Sequence, residues 1–210
     1  RARQAGKQIG LALLWRSGLH RALFEALSQR YRLIQYDGRG LGMSDRGLPE
    51  DFSPADYVKD LEAVMDAVDL ENVVLFAPHN QSHAAIRFAV ANPRRVRALI
   101  LWQAIVGKSD EVPFIAAMAR EDWQRHQLAM AQMFLPGENL EFARSLVEAA
   151  LTRHDFFISI HASEDDFVED LLPRLQVPTL LLYKTKSFRR TAELAEALAK
   201  AIQGSRLVYL

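Results

Sequence analysis

Short apolar runs that alternate with helical patterns are the feature that most restricts how this chain can fold. Val73 to Ala77 is continuously apolar and too short for a typical helix, a pattern typical of a strand buried on both faces of a sheet. Val96 to Trp102 is predicted to be the next buried strand. The segment between them is rich in small residues and ends near Asn92-Pro93, as a helix would. A strand, a helix and a second strand in this order predict a parallel sheet, whose ligands bind at the carboxyl ends of the strands.

The rest of the chain extends this alternation, with one interruption. Further strands are expected at Ile9 to Trp15, Tyr31 to Tyr36, Val177 to Tyr183 and from Arg206 onwards. Residues 103–170 show helical patterns and no convincing strand, with a break at Leu135-Pro136-Gly137. The sequence therefore predicts an α/β fold with a mostly parallel sheet of about six strands and helices on both faces. Its core would comprise residues 1–102 and 171–210, and residues 103–170 would form a helical cap insertion.

Composition excludes several classes of function. The chain of 210 residues has 26 Lys plus Arg against 26 Asp plus Glu, which favours neither nucleic acid nor an anionic membrane as a partner. It contains no cysteine, so disulfides and thiolate chemistry are excluded, and a cytoplasmic location is expected. No cofactor is expected, and the histidines show no metal-binding spacing. No membrane is expected as a partner, because no apolar run has the length of a membrane span. The basic stretch Arg94 to Arg97 is interpreted as a solvated corner.

The glycine loop and three other segments resemble one known family. Tyr36 to Asp45 reads YDGRGLGMSD and resembles the Asp-x-Arg-Gly-x-Gly-x-Ser loop of the α/β-hydrolases. Leu70 to Phe76, Ala89 to Leu101 and Asp170 to Thr179 are similar to that family's nucleophile strand, its following helix and strand, and its return from the cap. The likeness is greatest to bacterial α/β-hydrolase domains that accompany cyclase or helix-turn-helix regulators. On this template the chain is expected to lack the family's first hairpin and everything after its last strand.

The glycine loop also fits a second pattern. Gly38 to Gly42 follows a predicted strand, as a dinucleotide-binding loop would, but such a loop should open directly into a helix. Here the chain continues to Ser53 through Pro49 and several charged residues, so a structural loop is predicted instead. The residues assigned to it are Asp37, Arg39, Gly40, Gly42 and Ser44.

The resemblance implies a serine nucleophile on a sharp turn written Gly-x-Ser-x-Gly, and this chain departs from it. The matching stretch reads Ala77-Pro78-His79-Asn80-Gln81, which puts His79 where the serine belongs and replaces both glycines. Ser82, helped by His79 or His83, is kept as an alternative nucleophile, and so is His79 itself. A pocket-facing imidazole without turnover is the preferred interpretation of His79.

The other catalytic positions implied by the resemblance are altered as well. Trp15 to Gly18 stands where the oxyanion-hole loop should be, and this loop is shorter than the family's. Ser187 falls at the position of the triad acid, for which Asp110 is a lower-ranked substitute. The triad histidine would follow Leu210. The residues expected to line a ligand pocket are Trp15, Arg16, His79, Asn80, Trp102 and Ser187.

These departures predict an α/β-hydrolase-like domain that is catalytically inactive and binds a small ligand or serves a regulatory or interaction role. The expected ligand is a small apolar or ester-like molecule, and dimerisation is left open. One alternative is an active serine-hydrolase-type esterase for small esters, which needs a nucleophile from His79 or Ser82. The other is a truncated homologue without function, with apolar surface exposed at the ends of its sheet.

Overall fold

The computed structural model describes residues 15, 18–107, 111–135, 137–164, 166–185 and 191–210. The α-helices in these residues are α1 Gly18–Ser28, α2 Ala55–Ala67, α3 Gln81–Ala91, α4 Glu111–Glu121, α5 Trp123–Phe134, α6 Leu140–Ala150, α7 Arg153–Ser163 and α8 Thr191–Ala201. The strands are β1 Val73–Pro78, β2 Val96–Trp102, β3 Thr179–Tyr183 and β4 Arg206–Tyr209, and short 3-10 helices span Pro93–Arg95 and Glu169–Arg174.

The chain divides into two compact units, each made of two segments. Residues 1–52 and 110–161 form one, which we call the helical unit, and residues 53–109 and 162–210 form the other, which we call the sheet unit. This division places residues 1–52 with the central helices. The predicted division into a core and a cap insertion stays a prediction.

The sheet unit contains a four-stranded sheet in the order β1-β2-β3-β4, with every neighbouring pair parallel. Leu101 is the register partner of Ala77 on one side and of Leu181 on the other, so the strands end at a common carboxyl edge. The predicted α/β class and parallel sheet are confirmed. The described sheet has four strands where about six were predicted, because Ile9 to Leu14 lie outside the described residues and Tyr31 to Tyr36 form no strand.

The segment Tyr31 to Tyr36 was predicted to be a strand, and it pairs with no other described segment. No ladder hydrogen bond joins residues 31–38 to any other part of the described chain, and Tyr31, Ile34 and Tyr36 are all exposed. A strand requires a hydrogen-bonded neighbour, and alternating side chains do not supply one.

One face of the sheet carries the main core. Leu99, Leu101 and Leu181 are fully buried in one cluster with Phe88 of α3 and Leu198 of α8. α3 and α8 each turn their apolar side to this core.

The expectation that the first strand is buried on both faces is wrong. Val74 and Phe76 of β1 remain 48% and 40% exposed, while Leu75 and Ala77 contribute to the core. Successive side chains of a strand point to opposite faces of the sheet. The face of β1 that carries Val74 and Phe76 is therefore less covered than the face that packs on the core.

The helical unit confirms the helices predicted between residues 103 and 170. Asp122 and Asn139 cap α5 and α6 by accepting hydrogen bonds from the backbone N–H of Arg125 at 3.0 Å and of Phe142 at 3.1 Å. The two helices share a small core, whose buried members are Ala131, Leu135, Ala143 and Leu146. Within the described ranges, no helix has both the length and the apolarity needed to cross a bilayer.

Candidate functional site

The turn between β1 and α3 has the sharp geometry predicted for a nucleophile position. His79 adopts φ 50°, a left-handed conformation that residues other than glycine rarely take. Its backbone N–H donates to the carbonyl of Trp102 at 2.9 Å, which fixes the turn to the end of β2. His79 and Trp102 are therefore brought together at the carboxyl edge of the sheet, and Asn80 is exposed at the start of α3.

Ser82 does not occupy a nucleophile's environment. Its side chain is 0% exposed, and its hydroxyl lies 2.6 Å from the carbonyl oxygen of His79 and 3.0 Å from that of Ile105. A serine hydroxyl has one proton, which is here shared between two acceptors that cannot act as bases. Ser82 is thus a buried brace between α3 and the segment after β2.

Consecutive carbonyls hold that segment in place. The carbonyl of Ala104 accepts from the Tyr183 hydroxyl at 2.8 Å, that of Ile105 from Ser82, and that of Val106 from the backbone N–H of Val168 at 3.0 Å. Burial raises the pKa of Tyr183 well above its usual range, which keeps the phenol protonated as a donor. Sequence reasoning missed this frame, since Tyr183 was recognised only as the end of a predicted strand.

Gln103 is a second residue with an unusual backbone at this edge. It follows β2 directly, has φ 49°, and donates its N–H to the carbonyl of Leu182 at 2.8 Å. The side-chain atoms Trp102 Nε1 and Gln103 Oε1 are both buried, and neither has a hydrogen-bond partner in the described part of the chain. Sequence analysis did not select Gln103, because a positive φ at a glutamine leaves no mark in the sequence.

A charged cluster borders the first turns of α3. Asp166 accepts a hydrogen bond from Arg87 through one carboxylate oxygen and faces His83 Nδ1 at 3.4 Å through the other. Arg87 also donates to the carbonyl of Phe167 at 3.2 Å. This cluster ties the return from the central helices to α3. Asp166 was not among the predicted site residues, because an isolated loop carboxylate gives no signal in a sequence.

Some of the remaining predicted site residues lie outside the part of the chain that the structure describes. Arg16, Ser187 and the substitute acid Asp110 lie outside the described residues. Trp15 belongs to the helical unit, where its indole N–H donates to Gln35 Oε1 at 3.1 Å and its ring lies 5.2 Å from that of Phe24. The pocket roles of these residues stay predictions.

The glycine loop is organised around Asp37 within the helical unit. Asp37 accepts from the backbone N–H of Met43 at 3.0 Å through its carboxylate and from the Ser44 hydroxyl through its carbonyl. Gly42 has φ 51°, and a Cβ there would overlap the Asp37 carboxylate. Gly40 has φ 76°, and a Cβ there would crowd Leu48. The bracing role of Arg39 stays a prediction.

The glycine loop does not open into a helix. The end of α6 holds the loop instead. The backbone N–H of Gly42 donates to the carbonyl of Ala150 at 2.9 Å, and the guanidinium of Arg46 donates to the carbonyl of Ala149 at 2.6 Å. The next helix after the loop is α2, which begins only at Ala55. This arrangement is a structural loop and lacks the helix N-terminus on which a dinucleotide loop depends. Among the described residues, no group of three or more His, Asp or Glu side chains is placed to hold a metal ion.

Comparison with known proteins identifies relatives of one family. The family model for the alpha/beta hydrolase fold matches residues 10–168. A 2-hydroxy-6-oxononadienedioate/2-hydroxy-6-oxononatrienedioate hydrolase from Pseudomonas putida is 26% identical over 185 residues, covering 78% of this chain and 63% of that protein. The serine hydrolase BPHL of Mus musculus is 27% identical over 186 residues, covering 85% of this chain and 61% of its own. The chain thus spans about six-tenths of the length of these curated relatives.

A solved structure gives the same result for the fold. The esterase EaEST from Exiguobacterium antarcticum superposes with a TM-score of 0.80 at 23% identity, over 98% of this chain and 80% of that one. An identity this low shows a shared fold and carries no statement about activity.

Proposed function

Because this chain belongs to the α/β-hydrolase family, we propose that it binds a small molecule at the carboxyl edge of its sheet and does not perform the family's serine-nucleophile reaction. The observation that carries this proposal is the pair of residues at the turn. His79 occupies the left-handed position, and the serine beside it, Ser82, is fully buried with its hydroxyl against two carbonyls.

The chemistry of acyl transfer explains why this arrangement argues against a serine mechanism. A serine attacks only when a base takes its proton, and the base must lie within hydrogen-bond reach of the hydroxyl. The Ser82 hydroxyl is instead committed to backbone oxygens, which accept a hydrogen bond but not a proton. Freeing it would leave the carbonyl of Ile105 without its side-chain donor.

A second candidate is hydrolysis with His79 as the nucleophile. The left-handed turn that presents a nucleophile in this family is retained at His79, and imidazoles can form covalent acyl intermediates. The named relatives are hydrolases, which favours this reading over a purely structural one.

A cytoplasmic location, a regulatory or interaction role and formation of a homodimer also belong to the proposal, the first on the cysteine-free composition.

Serine chemistry is tested with a fluorophosphonate probe and p-nitrophenyl acetate on the wild-type chain and three variants. We expect no probe labelling. Wild type, His79→Ala, Ser82→Ala and His161→Ala should all show the same slow background turnover of the ester, because exposed imidazoles in general react slowly with an activated ester. His161 is an exposed histidine of α7 and serves as the matched control. Labelling that disappears in Ser82→Ala would restore the serine hydrolase. Turnover lost in His79→Ala alone, with an accumulating acyl-imidazole, would establish the second candidate.

Ser82→Ala also has a predicted effect on stability. Removing a buried hydroxyl that braces two segments should lower the free energy of unfolding by about 1–3 kcal/mol. Urea denaturation measures this loss. A variant as stable as wild type would mean that the hydroxyl is not a brace.

Ligand binding at this edge is measured through the indole N–H resonances of the three tryptophans in a ¹⁵N-labelled sample. The Trp102 resonance is assigned as the one that disappears in Trp102→Phe. A small molecule bound at the carboxyl edge should shift this resonance and leave those of Trp15 and Trp123 in place. If no compound in a panel of phenyl-substituted amides, esters and acids shifts it, the binding proposal is wrong.

A further inference from the structure

An open cavity of about 410 Å³ lies in the helical unit, where the glycine loop meets the end of α6. The backbone bond from Gly42 to Ala150 and a bridge between Leu41 and Leu151 join the two walls, so the cavity is bounded by elements that hold each other in place. The side chains that line it belong to Met43, Ser44, Arg46, Glu148, Ala149 and Thr152.

The two hydroxyls of this cavity are already committed within the protein. The Ser44 hydroxyl donates to the carbonyl of Asp37, and the Thr152 hydroxyl donates to the Asp155 carboxylate at 2.7 Å. A hydroxyl has one proton, so neither of them can also donate to a ligand. Any donor for a ligand must therefore come from another lining residue.

Arg46 is that residue, because its guanidinium is fixed in position and only partly used. Nη2 donates to the carbonyl of Gly42 at 2.7 Å and to that of Ala149 at 2.6 Å, which connects the loop to α6. Among the described residues, Nε and Nη1 have no acceptor and the guanidinium forms no ion pair. A positive charge that is held in place and lines a cavity attracts an anionic group.

The two bonds made by Nη2 also decide how an anion can bind to Arg46. A guanidinium holds a carboxylate by two parallel bonds only through a pair of nitrogens that includes Nη2. Both protons of Nη2 are taken here by carbonyls. An anion therefore receives single hydrogen bonds from Nη1 or Nε, and its charge matters more than a planar shape.

Charge and shape restrict the ligand to a monoanion with an apolar body. Glu148 is the one acidic side chain among the described lining residues, and it would repel a second negative charge on the ligand. Its own partner is Arg144 at 3.2 Å, so it does not neutralise Arg46. Met43 is 53% exposed and offers an apolar surface in the same cavity.

We propose that the cavity at Arg46 binds a small organic monoanion, such as a carboxylate or a sulfonate, with the apolar part of the ligand against Met43. Arg46 supplies the charge and the donors, and Glu148 disfavours dianions. The site consists of residues of the helical unit alone. It goes beyond the binding function proposed for the carboxyl edge of the sheet and does not depend on it.

The test uses four probes of similar shape, which are benzoate, benzenesulfonate, benzamide and phenylphosphonate. Binding to the full chain is followed through the ¹³C-methyl resonances of the five methionines, and the Met43 resonance is assigned as the one missing in Met43→Leu. Benzoate and benzenesulfonate should shift it with similar affinities, about tenfold more tightly than neutral benzamide, as expected for one charge-assisted hydrogen bond. In mildly alkaline buffer, where phenylphosphonate is a dianion, it should bind more weakly than benzoate.

Variants of Arg46 separate its charge from its hydrogen bonds. Arg46→Gln should lose the preference for benzoate over benzamide, whereas Arg46→Lys keeps the charge and should retain the preference. Arg30→Gln is the matched control, because Arg30 is an exposed arginine of the same unit and does not line the cavity. It should leave the preference unchanged.

A second pair of variants does not disturb the bonds that hold the loop. Glu148→Gln removes the repelling carboxylate and should strengthen phenylphosphonate binding more than benzoate binding. Glu141→Gln changes an exposed glutamate in the first turn of α6 and should alter neither. This pair keeps the site testable if Arg46→Gln loosens the loop.

The outcomes distinguish the parts of the proposal. Equal affinities of benzoate and benzamide, or no saturable shift of the Met43 resonance by any probe, would overturn the anion site. A preference that survives in Arg46→Gln would overturn the role of Arg46. Benzoate that binds much more tightly than benzenesulfonate would indicate two-bond recognition and overturn the single-bond geometry. The Trp102 resonance tests the carboxyl edge separately, so either site can fail without the other.

Discussion

The sheet unit and the helical unit treat buried polar groups differently. In the sheet unit the buried hydroxyls of Ser82, Thr179 and Tyr183 each donate to backbone carbonyls, beneath or beside a large apolar cluster. In the helical unit the buried polar groups include a carboxylate and an imidazole, and the cluster shared by α5 and α6 is small. The sheet unit thus depends on apolar burial, with polar groups as local braces.

The buried carboxylate and the buried imidazole of the helical unit are themselves unlike. Asp155 is fully buried and accepts hydrogen bonds from the backbone N–H groups of Gly47 at 2.9 Å and Leu48 at 2.6 Å, and from Thr152 at 2.7 Å. His126 is 2% exposed, and neither ring nitrogen has a partner among the described residues. Core substitutions should therefore change stability most in the sheet unit, and changes of charge or pH should matter most in the helical unit.

The largest effect is expected from Phe88→Ala in the sheet unit. Phe88 is fully buried in the main cluster, and such truncations cost about 3–5 kcal/mol through lost burial and the cavity that remains. Leu146→Ala in the small cluster should cost about 2 kcal/mol, at the low end for this substitution. Urea denaturation followed by circular dichroism measures both. Equal losses would remove the asymmetry between the two cores.

A somewhat smaller effect is expected from Asp155→Ala. The substitution leaves the N–H groups of Gly47 and Leu48 buried without their acceptor, and we expect a loss of about 3 kcal/mol in the free energy of unfolding. Asp155→Asn keeps an acceptor oxygen and should lose less. Amide exchange at residues 47 and 48 should accelerate in the alanine variant. Unchanged exchange there would show that the carboxylate does not hold this loop.

The smallest expected effect is a pH slope that depends on His126. Its ring stacks on Trp123 at 4.9 Å and lies 4.6 Å from the ring of Phe156, and burial lowers the pKa of His126 below its usual 6.5. The folded state therefore binds fewer protons than the unfolded state just below pH 6.5. The contribution of neutral His126 to the free energy of unfolding is fully present above that pH. It is lost as the pH falls from about 6.5 through the lowered pKa, at up to about 1.4 kcal/mol per pH unit.

His126→Phe preserves the aromatic stacking and removes the titrating group. Its free energy of unfolding should lose this dependence between pH 6.5 and the acid range, when measured by denaturant titrations at several pH values. His161→Phe changes an exposed histidine and is the matched control, in which the slope should persist. A slope that persists in His126→Phe would assign it to other groups.

The elements of the sheet unit were predictable because local pattern and burial agree there. β2, α3 and β3 match the predicted segments, since each carries apolar residues that the core then buries. Tyr31 to Tyr36 has a comparable pattern and pairs as a strand with no other described segment. Among the described residues, β2 and β3 have hydrogen-bonded neighbours and Tyr31 to Tyr36 has none, a difference that a local pattern does not encode.

The candidate site was predictable in part. His79 was placed at the sharp turn by alignment with the family, and the structure gives it the left-handed backbone of that position. Gln103, Asp166 and the bracing by Ser82 and Tyr183 were not foreseen, because each depends on atoms from segments far apart in the chain.

The sequence by itself determined the α/β class, the order of the helices and strands in the sheet unit, and the replacement of serine by histidine at the turn. These follow from local periodicity and from residue identity, which any folded state must accommodate. The tertiary structure decided that Ser82 is a brace and that buried polar atoms of Trp102 and Gln103 have no hydrogen-bond partner among the described residues. Hydrogen-bond partners are set by distance in space, and the chain order does not contain that distance.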